Sequence, residues 1–510
     1  MDNEKIQVGK FTLESLTTGM YSDPKIVYRE FIQNSVDSLE EAARIGLVEN
    51  LGMRIDIIVD EENSYISVRD NGTGISDEIA ISTLMNIGSS KKKHSNNRGF
   101  RGIGRLGGMS YCDTLVFSTS VSGEKTKTIV SFDCKKLRNL LVPGAYENMN
   151  LIDVLNAVTT TSMIEEKEDK HYFQVEMKNV SSFSGLLDIS TVKSYISQVA
   201  PLSYKTHSFI YKNELHNYLS SKGYSIEEFP IFVGESETEL EPIYKANKSH
   251  FHSDRNKMKD DDINNMNYFE VIIDNELYAL GWYGDCSWYG AISEKEISGI
   301  RVRKGNILIG DNKTLNSIFP ESRFNGWTQG ELFIVTEKLI PNARRDDFEQ
   351  NEAYFKLIEK LSSTIGPEIA KTIREASKTR NDPAAKVLKE IEKTVGEAAK
   401  SLEEGFNSTV DKDQMVVDLT TKKATLEKLT PKSLTKTDFE SKKKALEEKL
   451  SKTIDDVSES KNYKINQINS GVDKKSKKIL AIITDILSEK LDKRLVDIII
   501  EEIVKAINKK

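Results

Sequence analysis

No stretch of this sequence approaches the roughly 20 consecutive apolar residues that a membrane-spanning helix needs. Its first ten residues, MDNEKIQVGK, lack the basic-then-apolar layout of a secretory leader. Cysteine is scarce. Cys112, Cys134 and Cys286 are the only three, and none pairs with another at CxxC spacing, which excludes a disulfide framework and a cysteine-built zinc site. Without an export signal these cysteines read as reduced thiols of a cytoplasmic protein. An excess of basic charge is lacking too: the net charge of -7 argues against a general nucleic-acid binder while leaving room for a local basic patch.

What the chain does have is the profile of a globular protein. Apolar residues make up 38%, charged residues 30%, and the mean hydropathy is -0.45. A length of 510 residues suits about three domains. Composition places them at 1–205 and 206–378, both mixing helices and strands, and at 379–510, which is helical, rich in Lys, Glu, Ser and Thr, and free of tryptophan. A helix is expected from Ser22-Asp23-Pro24 to about Arg44, with Gly46 as its stop. A hairpin is expected over Arg54–Val59 and Tyr65–Val68, and a further strand over Thr114–Ser120. In the second unit, strands are expected at Tyr268–Ile273, Leu277–Trp282, Gly299–Arg303 and Glu331–Val335, then one helix over Glu352–Ser377. Near the end, Ile479, Ile483, Ile486, Leu487, Leu491, Leu495, Ile498, Ile499, Ile503 and Ile507 recur at three- and four-residue steps. Such a stripe either docks on its own domain or forms a homodimer seam. Residues 384–402 and 437–465 have coiled-coil character.

Three constellations carry the chemistry. Glu30, Asn34, Asp37 and Glu41 recur at steps of four, three and four, so they share one face of the first helix. Carboxylate, amide and carboxylate on one face suit magnesium–nucleotide chemistry: magnesium takes hard oxygen ligands, and a carboxylate one turn away can activate water. Asp70-Asn71-Gly72-Thr73-Gly74 follows a strand directly. Its aspartate can accept from an exocyclic amine, and its glycines allow close backbone approach. Gly99-Phe100-Arg101-Gly102-Ile103-Gly104 opens toward a helix and can present N–H groups to phosphate oxygens. The basic stretch Gly88 to His94, which includes Ser90 and Lys91, precedes it, and together they look like a lid over a triphosphate. Taken singly, each has an ordinary reading: a solvated helix face, an Asn-Gly turn, a glycine-rich loop. His250-Phe251-His252 with Asp254 has no further Cys/His pair nearby, so a loop is the simpler reading than a metal site.

The order and spacing of the three constellations, Glu30-x-x-x-Asn34, Asp70-x-Gly72-x-Gly74 and Gly99-x-x-Gly102-x-Gly104, resemble the GHKL ATPases, and Glu30 to Leu39 is most similar to the HtpG-type ninety-kilodalton heat-shock chaperones. The resemblance implies an α+β protein: a Bergerat-type α/β sandwich that binds the nucleotide, a transducer-like α/β middle domain and a helical C-terminal region. It implies binding and hydrolysis of Mg-ATP. Glu30 would be the general base, and Asn34 the magnesium ligand. Asp37 would support the sugar-phosphate side, and Asp70 would bind the adenine amine beside Gly72 and Gly74. Gly99, Gly102, Ile103 and Gly104 would close over the phosphates. Leu339-Ile340-Pro341-Asn342-Ala343-Arg344-Arg345-Asp346-Asp347-Phe348 resembles the family's middle-domain loop, which would bring Arg345, or its neighbour Arg344, to the γ-phosphate. Departures are Arg105, where the chaperones have an aromatic, and Lys170-His171-Tyr172-Phe173-Gln174-Val175-Glu176, which lacks their Gly-Thr. Likeness is absent beyond about residue 380. The implied partners are ATP and ADP, a second copy joined through C-terminal helices and a protein client. The competing reading is a MutL- or MORC-like ATPase acting on nucleic acid through the lysine-rich C-terminal region.

Overall fold

The computed structural model describes residues 9–16, 23–86, 104–144, 146, 148–254, 256, 258–379, 383–406, 409–430, 436–460, 462 and scattered positions between 479 and 507. Ser90, Lys91, Gly99, Gly102 and Ile103, and Leu491, Leu495 and Ile498 of the terminal apolar stripe, lie outside these residues.

Alternation in Ile55, Ile57 and Val59 turns all three side chains into the core of the first strand. This strand, β1 (Ile55–Asp60), pairs antiparallel with β2 (Tyr65–Asp70) across a turn in which the Asp60 carboxylate accepts from the Asn63 N–H at 2.9 Å. Preceding them are α1 (Phe11–Leu16) and α2 (Ile26–Arg44). Asp23 accepts from the Lys25 N–H at 3.0 Å, so the turn Asp23–Lys25 introduces α2, which begins two residues later than its proline. Gly46, at φ +73°, ends it by taking the left-handed conformation that residues with a Cβ avoid.

The chain continues through α3 (Asp77–Met85), β3 (Thr114–Ser120), β4 (Thr126–Asp133), α4 (Cys134–Leu140), α5 (Leu151–Val158), β5 (Thr159–Glu165), β6 (Tyr172–Lys178), α6 (Ile189–Val199), α7 (Lys212–Ser221), β7 (Ile231–Gly234) and β8 (Glu241–Pro242). The strands form one mixed sheet in the order β5-β4-β3-β6-β2-β1-β7-β8. Only the β1–β7 ladder among its named pairs is parallel, and β7 joins β1 although it lies beyond residue 205. Val27, Phe31, Val36 and Leu39 of α2 pack in one core with Ile57, Val68, Phe117, Val175 and Met177 of the sheet.

A short hairpin, β9 (His250–Ser253) with β10 (Lys259–Asp262), sets His250 beside Asp262 (2.9 Å) and His252 beside Asp260 (3.2 Å). Next come β11 (Asn265–Ile273), β12 (Glu276–Asp285), β13 (Gly299–Lys304), β14 (Ile307–Ile309) and β15 (Gln329–Ile334), ordered β11-β12-β15-β13-β14 with β13 and β15 parallel. At the heart of this second sheet Glu331 is fully buried and accepts from Arg303 Nε, the Tyr204 hydroxyl and the Trp282 indole. Lys245 Nζ stands 3.3 Å from the same carboxylate. Burial pushes the Glu331 carboxyl up, but Lys245 and Arg303 outweigh it and hold it at about 2. Burial and the Arg303 charge bring Lys245 down to about 7.

Two helices, α8 (Glu352–Ser363) and α9 (Ile365–Thr379), replace the single one expected over Glu352–Ser377. Pro367 accounts for the break: its ring would clash with the carbonyl of Ser363, and it offers no N–H to continue the ladder. The chain divides into two compact units, Met1–Ile373 and Arg374–Lys510. The second contains α10 (Pro383–Glu404), α11 (Thr409–Glu427) and α12 (Lys436–Glu459). Leu388, Ile391, Val395 and Ala398, at steps of three and four, meet Leu419, Leu426, Leu446 and Leu450 in its core. Near the chain's end Leu480 and Val504, which lie off the expected stripe, are buried; Ile503 and Ile507 of the stripe pack against them, while Ile479 and Ile486 of the stripe are exposed. No helix among the described residues is long and apolar enough to cross a membrane.

Glu331→Ala strands two buried cations, and loss of one partner from a buried ion cluster costs about 3–5 kcal/mol. Urea unfolding is expected to show a lower midpoint at unchanged slope. Because the folded pKa of Glu331 is depressed, its contribution is full above the ordinary glutamate range and disappears as pH falls through about 2.

Candidate functional site

Helix α2 packs its apolar stripe into the sheet; Ser35 and Ser38 stand by Asp70 at the end of β2, and Arg29 and Glu30 meet the Arg344–Arg345 loop. Arg29, Glu30, Gln33 and Asp37 are all buried, and Asn34 is half-buried. The sequence-expected residues Glu30, Asn34 and Asp37 therefore do share one surface, but it is withdrawn from solvent.

Asp70 closes β2 and is 1% exposed. Its Oδ1 accepts the Gly72 N–H at 2.9 Å, and the Ser35 and Ser38 hydroxyls of α2 stand close enough to its carboxylate to favour the charged form. Burial raises its pKa to about 6 against the opposing Gly72 N–H. The two glycines that follow are required sterically. A Cβ on Gly72 would lie 2.1 Å from Ser38 Oγ, and one on Gly74, at φ +69°, would lie 2.0 Å from the Ser120 carbonyl oxygen. This loop thus lies between α2 and β3. The Ile75 N–H donates to Thr119 Oγ1 at 2.7 Å, and the Thr119 hydroxyl in turn reaches the Tyr172 carbonyl at 3.2 Å. His171, in the stretch without Gly-Thr, places Nδ1 2.8 Å from the Gly72 carbonyl.

Of the glycine-rich loop, the described part is the 3₁₀ turn Gly104–Ser110, whose backbone begins at Gly104. It packs on α2: a Cβ at Gly108 would already touch the Phe31 ring at 3.3 Å.

The loop Leu339–Phe348 reaches the same place. Pro341 bridges Phe348, the Asn342 N–H donates to the Asp347 carbonyl at 2.9 Å, and Lys304 Nζ donates to the Leu339 carbonyl at 2.9 Å. Asp346 accepts from the Asn342 amide and Asp347 from the Tyr354 hydroxyl. Arg345 faces Glu30 instead, with Nε 3.4 Å from Oε1, and its side chain is 11% exposed. Arg344 is exposed. Arg29 Nη2 donates to the Arg344 carbonyl at 2.7 Å and Nη1 to the Arg345 carbonyl at 3.3 Å.

Among the described residues, six of the fourteen buried side-chain N and O atoms outside hydrogen-bond geometry lie on α2 and Asp70: Arg29 Nε, Glu30 Oε1, both amide atoms of Gln33, Ser38 Oγ and Asp70 Oδ2. Glu30 Oε1 and Arg29 Nε face charges instead, with Arg345 Nε 3.4 Å and Arg29 Nε 3.8 Å from Glu30 Oε1, so the Gln33 amide is the group here without a partner among the described residues. Among the described residues no group of three His, Cys, Asp or Glu is arranged to hold a metal. The oxygen donors present, Asn34 among them, fit a hard cation that draws most of its ligands from water and phosphate. Arg29, Gln33, Ser38, Thr119 and His171 were not singled out by the sequence. Arg29 and Gln33 sit inside the Glu30 motif at positions whose spacing is ordinary, and the loop contact of Arg29 spans more than three hundred residues.

Comparison with known proteins is consistent with this geometry. Residues 21–163 match the family described as histidine kinase-, DNA gyrase B- and HSP90-like ATPase. The chaperone protein HtpG of Wolinella succinogenes is 30% identical over 132 residues, which cover 22% of this chain and 21% of that protein. HtpG of Acinetobacter baylyi is 32% identical over 87 residues, 16% and 14% respectively, and HtpG of Helicobacter hepaticus 30% over 131 residues. The chain spans about a fifth or less of the length of these curated relatives. Residues 21–163 are thus similar to this ATPase family.

Asp70 makes stability pH-dependent. With its pKa raised to about 6, the folded chain keeps a proton that the unfolded chain has released, so its contribution is full at acid pH and is lost as pH rises through about 6. Asp70→Asn is expected to flatten that slope in melting curves recorded from pH 4 to 7. Gly74→Ala, which places a methyl against the Ser120 carbonyl, is expected to lower the melting temperature by several degrees.

Proposed function

We propose that the chain binds Mg-ATP on the α2–β2 surface and hydrolyses it to drive a conformational clamp on a protein client. The observation that carries this reading is the buried Glu30 carboxylate on α2 reached by Arg345 from a distant loop, on the helix whose Ser35 and Ser38 stand beside the buried Asp70. In this reading Asp70 Oδ2 accepts the exocyclic amine of adenine, with Gly72 and Gly74 lying close to the base. Asp37 supports the sugar-phosphate side. Magnesium neutralises phosphate charge, and Asn34 is the residue that would hold it. Glu30 takes the proton from a water whose oxygen attacks the γ-phosphorus as the bond to the β-phosphate oxygen breaks, leaving ADP and phosphate. General-base assistance of this kind contributes about 10²–10⁴-fold. Arg345, already beside Glu30, offsets charge on the transferred phosphoryl group, with Arg344 as its near alternative. Ser90, Lys91, Gly99, Gly102, Ile103 and Gly104 form the lid. The C-terminal helices join two copies.

Residues 374–510 favour a second reading. They carry 30 Lys and Arg against 25 Asp and Glu, in a chain whose net charge is -7. A net positive unit within a net negative chain suits a phosphate-rich partner, as in nucleic-acid-handling ATPases.

Glu30→Ala is expected to lower ATP turnover at least 100-fold while calorimetry shows ATP affinity unchanged within about threefold. Turnover at the parental rate would refute the mechanism. Asp70→Asn is expected to lose affinity instead, and parental affinity is expected to fall as pH drops through about 6, where Asp70 gains a proton. Turnover stimulated by an unfolded protein supports the clamp. A salt-dependent, ATP-sensitive shift of duplex DNA supports the second reading.

A further inference from the structure

We propose that Arg29 is a positioning residue: its guanidinium holds the Arg344–Arg345 peptide in the turn that presents the Arg345 side chain to the site. The proposal rests on the ATPase reading above. It starts from a backbone oddity. Arg345 has φ +56°, in the left-handed region that residues with a Cβ seldom adopt. In the free loop this conformation would be a minor one.

Three donors stabilise it. The Gly310 N–H donates to the Arg345 carbonyl at 2.9 Å. Arg29 Nη1 donates to the same oxygen at 3.3 Å, and Nη2 donates to the Arg344 carbonyl at 2.7 Å. Two successive carbonyls are thus engaged by one planar fork, a geometry that an ammonium on a flexible stem does not reproduce. Arg29 is itself 4% exposed, so these bonds form away from water, where a donor to a carbonyl is hard to replace. Its Nε, 3.8 Å from Glu30 Oε1, adds only a long charge contact. The residue next to the general base on α2 is therefore the one that sets the conformation of the arginine from the other end of the unit.

A rival role fits the same geometry: Arg29 as a plain counter-charge for Glu30. The two differ in what lysine does. Lysine keeps the charge and loses the fork.

The experiment uses the full chain and the variants Arg29→Ala, Arg29→Lys, Arg345→Ala and the double Arg29→Ala/Arg345→Ala. Trypsin cleavage after Arg344 and Arg345, followed by mass spectrometry, reads the loop without reference to catalysis. Release of the Arg344–Arg345 turn is expected to speed cleavage there about tenfold or more in both Arg29 variants. ATP turnover is expected to fall by up to about 100-fold in Arg29→Ala, with affinity for a non-hydrolysable ATP analogue unchanged within threefold and no rescue by lysine. The double variant is expected to be no slower than Arg345→Ala, because Arg29 acts through Arg345. Parental cleavage rates, rescue of turnover by lysine, or losses that multiply in the double variant would each overturn the proposal. A parent chain that turns over no ATP would remove the ATPase reading, and the cleavage rates would still decide whether Arg29 holds the turn.

Discussion

Glu30 is a carboxylate whose side chain has been taken out of water, and such a group is tolerated only where positive charge or hydrogen bonds stand close by. Two arginines supply that charge. Arg29 comes from the same turn of α2, and Arg345 from a loop near the end of the first unit. The shape of the first unit follows from this requirement. The helix bearing Glu30 must bury one face in the eight-stranded sheet, and the loop bearing Arg345 must be carried back to meet the other.

The second sheet is the base from which that loop is carried. Its buried cluster of Glu331, Arg303, Lys245, Tyr204 and Trp282 ties β15 and β13 to residues from the segment that leaves the first sheet. Arg303 Nη2 also reaches the Gln198 carbonyl at the end of α6, and α6 packs on α2. One residue beyond Arg303, Lys304 Nζ donates to the carbonyls of Thr336 and Leu339, where the arginine loop begins. A continuous chain of directional bonds therefore runs from the core of the second sheet to the loop that faces Glu30. Bonds of this kind among buried groups hold geometry more tightly than apolar contacts alone.

Against that rigid frame, the atoms left without partners stand out. A folded chain satisfies nearly all of its buried polar groups, and this one does so in the Glu331 cluster, where a carboxylate meets several donors. At Gln33 on α2 it does not. Unbonded buried polar atoms occur in the second sheet as well, at Arg301, Asn306 and Gln329, so the Glu331 cluster differs from its surroundings in being saturated.

Much of this was legible in the primary structure, because the signals are local. The three-and-four spacing of Glu30, Asn34 and Asp37, the alternation of Ile55, Ile57 and Val59, the glycine pair after Asp70 and the stop at Gly46 each follow from backbone geometry over a few residues, and the strands expected at β11, β12, β13 and β15 are present for the same reason. The helix expected over Glu352–Ser377 was misread because its apolar period continues through a proline whose clash with the preceding turn periodicity does not register. Other features had no local signature at all. Only the fold could decide that β7 extends the first sheet, that Asp70 is buried against α2, that Arg345 turns to Glu30 while Asp346 and Asp347 bond elsewhere, and that Arg29 grips two carbonyls from a loop remote in the chain. Those depend on which distant segments are brought within a few ångströms, and hydrogen bonds and charges act over that distance whatever the separation along the chain.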